Sequence, residues 1–130
     1  MILNDVFINV NIYNASKDIK DTTLIFTHGL GEYSKSYNEV ARFFQNEGFN
    51  VLTYDIRGHG KSSGKRGYIK TYQHFLDDLK ELVSFAYSKT SKVFLVGHSM
   101  GGLITNLYAS TYNNVDGVII TASPTNYLKE

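Results

Sequence analysis

The chain has 130 residues, 42% hydrophobic and 19% charged, a balance that suits one globular domain and excludes a disordered or fibrous chain. Thirteen Lys and Arg against twelve Asp and Glu leave a net charge of +1, too even to hold nucleic acid or acidic lipid by bulk charge, so any partner must be recognised locally and no nucleic acid is expected. Cysteine is absent and the four histidines are scattered without ligand spacing, which excludes a disulfide scaffold or thiolate metal site and leaves no metal expected.

Residues 5–13 alternate polar and apolar at Val6, Ile8, Val10 and Ile12, which predicts a half-buried edge strand. Residues 23–27 form a short apolar run, as for a strand covered on both faces, ending at His28-Gly29-Leu30-Gly31. Ser36 and Glu39 have capping-box spacing, Tyr37, Val40, Ala41 and Phe44 recur at helical steps, and Gly48 is placed to end this first helix. A strand follows over 49–54, then a long loop whose glycines, Gly58, Gly60 and Gly64, disfavour a helix.

Phe75, Leu76, Leu79, Leu82, Val83 and Ala86 fall on one stripe, opposite Asp77, Asp78, Lys80 and Glu81, and predict a second helix. A buried strand over 92–96, a helix over 100–108 through Leu103, Ile104 and Leu107, and a strand over 115–121 complete the pattern. Strands alternating with helices give an α/β fold, a mostly parallel sheet with helices on both faces, whose chemistry collects beyond the carboxyl ends of the strands. The apolar runs are too short to span a membrane, and Asn4 and Asp5 interrupt any signal-peptide-like start, so a cytoplasmic location is expected.

Gly97-His98-Ser99-Met100-Gly101 is a G-x-S-x-G string between an apolar strand and an amphipathic helix, the setting in which a tight turn exposes a nucleophilic serine. A serine hydroxyl needs a base, and the oxyanion it generates needs backbone N–H donors. Met100 at the helix start supplies one candidate donor and Leu30, in the glycine-rich turn after 23–27, the other. The alternative for each segment is a capping serine and a turn that merely redirects the chain. No G-x-G-x-x-G or G-x-x-x-x-G-K-[ST] string is present, so no nucleotide or other cofactor is expected.

Four segments, His28-Gly29-Leu30-Gly31-Glu32, Asp55-Ile56-Arg57-Gly58-His59-Gly60-Lys61-Ser62, Gly64-Lys65-Arg66-Gly67-Tyr68-Ile69 leading to Phe75 and Asp77-Asp78-Leu79, and Gly97-His98-Ser99-Met100-Gly101-Gly102, stand in an order that carries a resemblance. The chain resembles the α/β-hydrolases of the monoacylglycerol lipase, lysophospholipase and serine aminopeptidase group. The resemblance implies that Ser99 is the nucleophile, that the N–H groups of Leu30 and Met100 form the oxyanion hole, and that the substrate is a small acyl ester or lipid. It further implies that His28, Gly29, Gly31 and Glu32 shape the turn, that Asp55, Arg57 and His59 order the neighbouring loop, and that Gly97 and Gly101 flank an elbow with His98 packed beneath it.

In α/β-hydrolases the triad follows the chain order Ser, then Asp or Glu, then His. No histidine follows Ser99 here; the later carboxylates are Asp116, expected at the opposite sheet end, and Glu130. Residues 1–130 are therefore expected to be the N-terminal part of a single hydrolase domain, with cap, acid and base beyond Glu130 and no triad catalysis as it stands. The strand over 115–121 is expected to leave an apolar edge through which the chain self-associates. The competing functions are a peptidase or thioesterase of the same fold and a non-catalytic module with an inert serine.

Overall fold

The computed structural model describes residues 1–15, 17, 20–29, 32–63 and 72–121. Leu30, Gly31, the segment from Gly64 to Ile69, and Glu130 lie outside the described residues.

The N-terminal strand expected over 5–13 is instead broken. A hairpin pairs β1 (Ile2–Leu3) with β2 (Val6–Phe7), and Asn4 and Asp5 between them both take positive φ, 51° and 66°. Two positive-φ residues linking Leu3 to Val6 make the turn whose twist suits a two-residue hairpin, and Asn and Asp tolerate that conformation best after glycine. Ile8 is then fully buried, and the chain resumes as β3 (Val10–Tyr13), antiparallel to its neighbour at the sheet edge.

The main sheet contains β3, β4 (Thr22–Thr27), β5 (Asn50–Tyr54), β6 (Lys92–His98) and β7 (Gly117–Thr121) in the order β3-β5-β4-β6-β7. Every pairing except β3 with β5 is parallel. β4 lies at the centre with all six residues buried, which explains why its sequence is an uninterrupted apolar and threonine run.

One face is covered by a 3₁₀ turn (Ser34–Tyr37) running into α1 (Asn38–Asn46), over Leu24, Phe26 and Val51. The other is covered by α2 (Tyr72–Tyr87) and α3 (Met100–Tyr112), which bury Leu79, Leu82 and Ile104 against Ile25, Val93 and Leu95. The expected capping box does not form: Ser36 lies inside the 3₁₀ turn, the α1 cap is Tyr37, and no side chain bonds the cap. Gly48 does end the helix, at φ 98°.

Two helical assignments need correction. Asp78, expected on the solvated side of α2, is only 2% exposed, and Leu103, expected in the α3 stripe, is 38% exposed. Position 78 is three residues after Phe75 and four before Leu82, so it belongs to the apolar stripe by spacing.

Candidate functional site: a strained turn at Ser99

Ser99 is the residue between β6 and α3, with φ 57° and ψ −120°. A side chain in this conformation carries about 1–3 kcal/mol of strain, tolerated only where the surroundings enforce it. Here they do: the Ser99 N–H donates to the Thr121 carbonyl of β7 at 3.0 Å, and the Ser99 carbonyl accepts the N–H groups of Gly102 and Leu103. Glycines make so sharp a reversal fit. A Cβ on Gly97 would sit 2.4 Å from the Gly101 carbonyl oxygen, and one on Gly101 would sit 2.1 Å from the Thr27 oxygen and 2.5 Å from that of His28. The first turn of α3 thus lies directly on the carboxyl end of β4.

That contact brings the two sequence segments together. A Cβ on Gly29 would stand 3.0 Å from Ser99 Cβ and 3.3 Å from the His98 carbonyl oxygen, so the turn after β4 touches the serine. No described residue hydrogen-bonds the Ser99 hydroxyl, and the Met100 N–H at the helix start has no described acceptor. The other expected donor, Leu30, and its neighbour Gly31 fall outside the described residues.

Glu32 fixes the near end of that turn. Its Oε1 accepts the Gly29 N–H at 2.8 Å and the Tyr37 hydroxyl at 3.0 Å. Burial works against its charge, but those two donors outweigh it and hold the carboxyl below its ordinary range. Burial, and then the Glu32 carboxylate, push the Tyr37 hydroxyl up, so it stays a donor at neutral pH. Tyr37, read from sequence only as an apolar helix residue, is therefore tied to the turn.

His28 is a strut. The Ile56 N–H can only donate, so Nε2, 2.9 Å away, accepts, and Nδ1 must carry the proton that it shares with the Gly29 carbonyl at 2.8 Å. Burial of the ring lowers its pKa, against the opposing pull of the Gly29 carbonyl, and both nitrogens are occupied. His59 packs against His28 with ring centroids 5.3 Å apart, and its Nδ1 lies 3.2 Å from the Arg57 carbonyl oxygen. His98 departs from expectation: it is half-buried, lying beside the elbow with Nδ1 3.0 Å from Thr121 Oγ1. His74 is exposed on α2.

The loop after β5 is held by two carboxylates. Asp55 accepts the Ser34 N–H at 2.6 Å through one oxygen, and the Lys61 N–H and Asn9 Nδ2 at 3.0 Å through the other. Burial favours its neutral form, but these donors prevail and keep its pKa low. Arg57 makes a two-point pair with Asp78, Nε to Oδ2 at 2.8 Å and Nη2 to Oδ1 at 2.9 Å, and Asn4 adds a third donor. This pair raises the Arg57 pKa despite burial. Asp78 is the support residue that the polar-face reading missed; the heptad-like spacing from Phe75 to Leu82 was its signal. Asp116 accepts the Val93 N–H and the Tyr87 hydroxyl at the amino end of the sheet, remote from Ser99.

On the α1 side of the strand ends a cleft of about 320 Å³ opens beside His98 and Thr121, walled by Phe26, Val40 and Val96 with Glu32 at its rim. Among the described residues no cluster of His, Asp and Glu could hold a metal ion, and no helix is long and apolar enough to cross a membrane.

The chain is similar to known proteins in both sequence and fold. The monoacylglycerol lipase of Mycolicibacterium smegmatis is 33% identical over 103 residues, covering 78% of this chain and 37% of that protein. The rat monoglyceride lipase is 39% identical over 90 residues, covering 67% and 30%. Among solved structures, the monoacylglycerol lipase of Paleococcus ferrophilus superposes with a TM-score of 0.77 at 29% identity, over 89% of this chain and 43% of that one. The chain thus spans well under half the length of the relatives it matches. Residues 18–129, which include the four strands β4 to β7 and the whole elbow, match the family described as Hydrolase_4, serine aminopeptidase, S33, and the chain belongs to that family of α/β-hydrolases.

Proposed function

We propose that this chain carries the nucleophile of a serine hydrolase that cleaves carboxylic esters of lipid type, such as monoacylglycerols and lysophospholipids, through a Ser99 acyl-enzyme. The observation that carries the reading is Ser99 itself, a strained residue with no described partner for its hydroxyl, next to an unbonded Met100 N–H. In acyl transfer a base takes the Ser99 proton as Oγ attacks the ester carbonyl. The oxyanion is then met by the Met100 N–H and, in our reading, that of Leu30; the alcohol leaves with the proton, and water releases the acid. The lipid character of the substrate rests on the names of the relatives, monoacylglycerol lipase and monoglyceride lipase among them.

The base is not among the described histidines in this reading. His28 has both nitrogens engaged, His59 faces the Arg57 carbonyl, His98 is tied to Thr121, and His74 lies on α2. In this reading residues 1–130 by themselves do not complete a Ser, acid and His triad. A peptidase of the same fold is the second reading, favoured by the aminopeptidase description of the family.

The test is to treat the protein from its natural source with a fluorophosphonate and record its intact mass. One adduct, abolished by Ser99→Ala, is expected, with faster turnover of monoacylglycerols than of amino-acid arylamides. An adduct that persists in Ser99→Ala removes Ser99 from the mechanism, and faster arylamide turnover makes the peptidase reading the correct one.

A further inference from the structure

A cleft of about 500 Å³ lies away from Ser99. It lies at the β3 edge, with β5 and β4 between it and the β6 strand that ends at the elbow. Its size is in the range of small-molecule sites. Three separate segments wall it, and one carboxylate pins them: Asp55 takes Asn9 Nδ2 from the β3 side, the Ser34 N–H from the 3₁₀ turn and the Lys61 N–H from the loop. The cleft is therefore pre-formed.

Its polar groups are oriented as well as present. Asn11 spends its Nδ2 on Ser34 Oγ and Thr53 Oγ1, and Asn9 spends its own on Asp55, so both amide oxygens are left as acceptors. Asn38 accepts the Tyr13 hydroxyl through Oδ1 at 2.7 Å, which leaves its Nδ2 as a donor. Adjacent amide acceptors and a donor match hydroxyl groups, which both give and take a hydrogen bond. Lys35 and Lys61 also line the cleft, and neither forms an ion pair with an acidic side chain among the described residues. Asp55 stays ionised under the donors above, so with Lys35 and Lys61 the cleft lining carries two positive charges against one negative.

We propose that this cleft, separate from the nucleophile, binds a phosphorylated polyol of the glycerophosphate type, with the hydroxyls on Asn9, Asn11 and Asn38 and the phosphate between Lys35 and Lys61. Such a group exists both as a free phosphate ester and as a lipid headgroup, and the assay separates the two.

The experiment titrates the full natural chain with sn-glycerol 3-phosphate, and in parallel with phosphatidylglycerol vesicles and phosphatidylcholine vesicles, reading binding by calorimetry and the asparagine side-chain amides by NMR. Saturable binding that shifts the Asn9, Asn11 and Asn38 amide signals is expected. The double variant Lys35→Ala/Lys61→Ala, checked for an unchanged melting temperature, is expected to bind about tenfold more weakly or worse, since two charge-assisted bonds are lost. Ser99→Ala is expected to bind as the parent does. Binding of the soluble ester alone assigns the free compound; capture by phosphatidylglycerol but not phosphatidylcholine vesicles assigns the headgroup. Absence of saturable binding to either, or equal affinity in the double variant, overturns the proposal, and loss of binding in Ser99→Ala places the ligand at the elbow instead. None of these readouts depends on hydrolysis.

Discussion

The two halves of the sheet's carboxyl edge are built in opposite ways. On the β3-β5-β4 side the turns are closed by side chains that bond across long sequence separations: Asp55 to Ser34 and Asn9, His28 to Ile56, Arg57 to Asp78. On the β6-β7 side Ser99 and His98 stand at strand ends with few partners, and the adjoining strand exposes 38% of Val118 and 52% of Ile119. One half is a scaffold closed by its own side chains, with open groups only at the Asn9, Asn11 and Asn38 amides of the cleft; the other presents unspent hydrogen-bonding groups at the elbow itself. The comparison teaches that substitutions in the first half should be read out mainly as stability, and substitutions at the elbow mainly as reactivity.

The sharpest way to break this division is Asp78→Ala. It strands the Arg57 guanidinium, whose side chain is 15% exposed, and removes the link to Asn4, so a loss of about 3–5 kcal/mol is expected in chemical denaturation. A loss below about 1 kcal/mol would show that the loop is held by Asp55 alone.

His28 gives an intermediate effect with a fixed sign. Burial depresses its folded pKa below 6.5, so the unfolded chain takes up the proton first. The stability that His28 contributes is complete above pH about 6.5 and falls as pH drops below it toward the folded value. Denaturation curves of the parent are expected to lose stability over that window, and His28→Gln to show a shallower slope. Identical slopes would remove His28 as the titrating strut.

The smallest effect is predicted at the elbow. Ser99→Gly relieves the positive φ, and a gain of about 1 kcal/mol in stability is expected together with complete loss of fluorophosphonate labelling. A destabilised Ser99→Gly would mean that the serine is held by contacts and is not strained.

The legibility of these regions from sequence follows the same division. β4 and α2 are readable because burial leaves a periodic trace: all of Phe75, Leu76, Leu79, Leu82, Val83 and Ala86 are buried, as their spacing demands. The elbow is readable because its glycines are imposed by backbone contacts at Thr27, His28 and Gly101. What escaped was polar and long-range. Asp78 looked like surface because charge normally marks surface, and its partner Arg57 is 21 residues away. The Asn4-Asp5 hairpin escaped because a two-residue reversal leaves the alternation of Val6, Ile8, Val10 and Ile12 intact while turning the chain. Tyr37 escaped because its ring belongs to the α1 core and only its hydroxyl reaches Glu32.

The Asp55 cluster has a consequence for the order in which the chain assembles. The donors to its side chain, one side-chain amide and two backbone N–H groups, come from positions 46 and 21 residues upstream and from 6 residues downstream. Until β3, the 3₁₀ turn and the following loop have all arrived, the carboxylate is better served by water. Contacts of this kind, closed across long loops for one polar group, form late on the folding path. Asp55 should thus contribute little to the barrier the chain climbs when folding and much to the one it climbs when opening, and in a chevron plot its loss would move the unfolding arm while leaving the folding arm nearly in place.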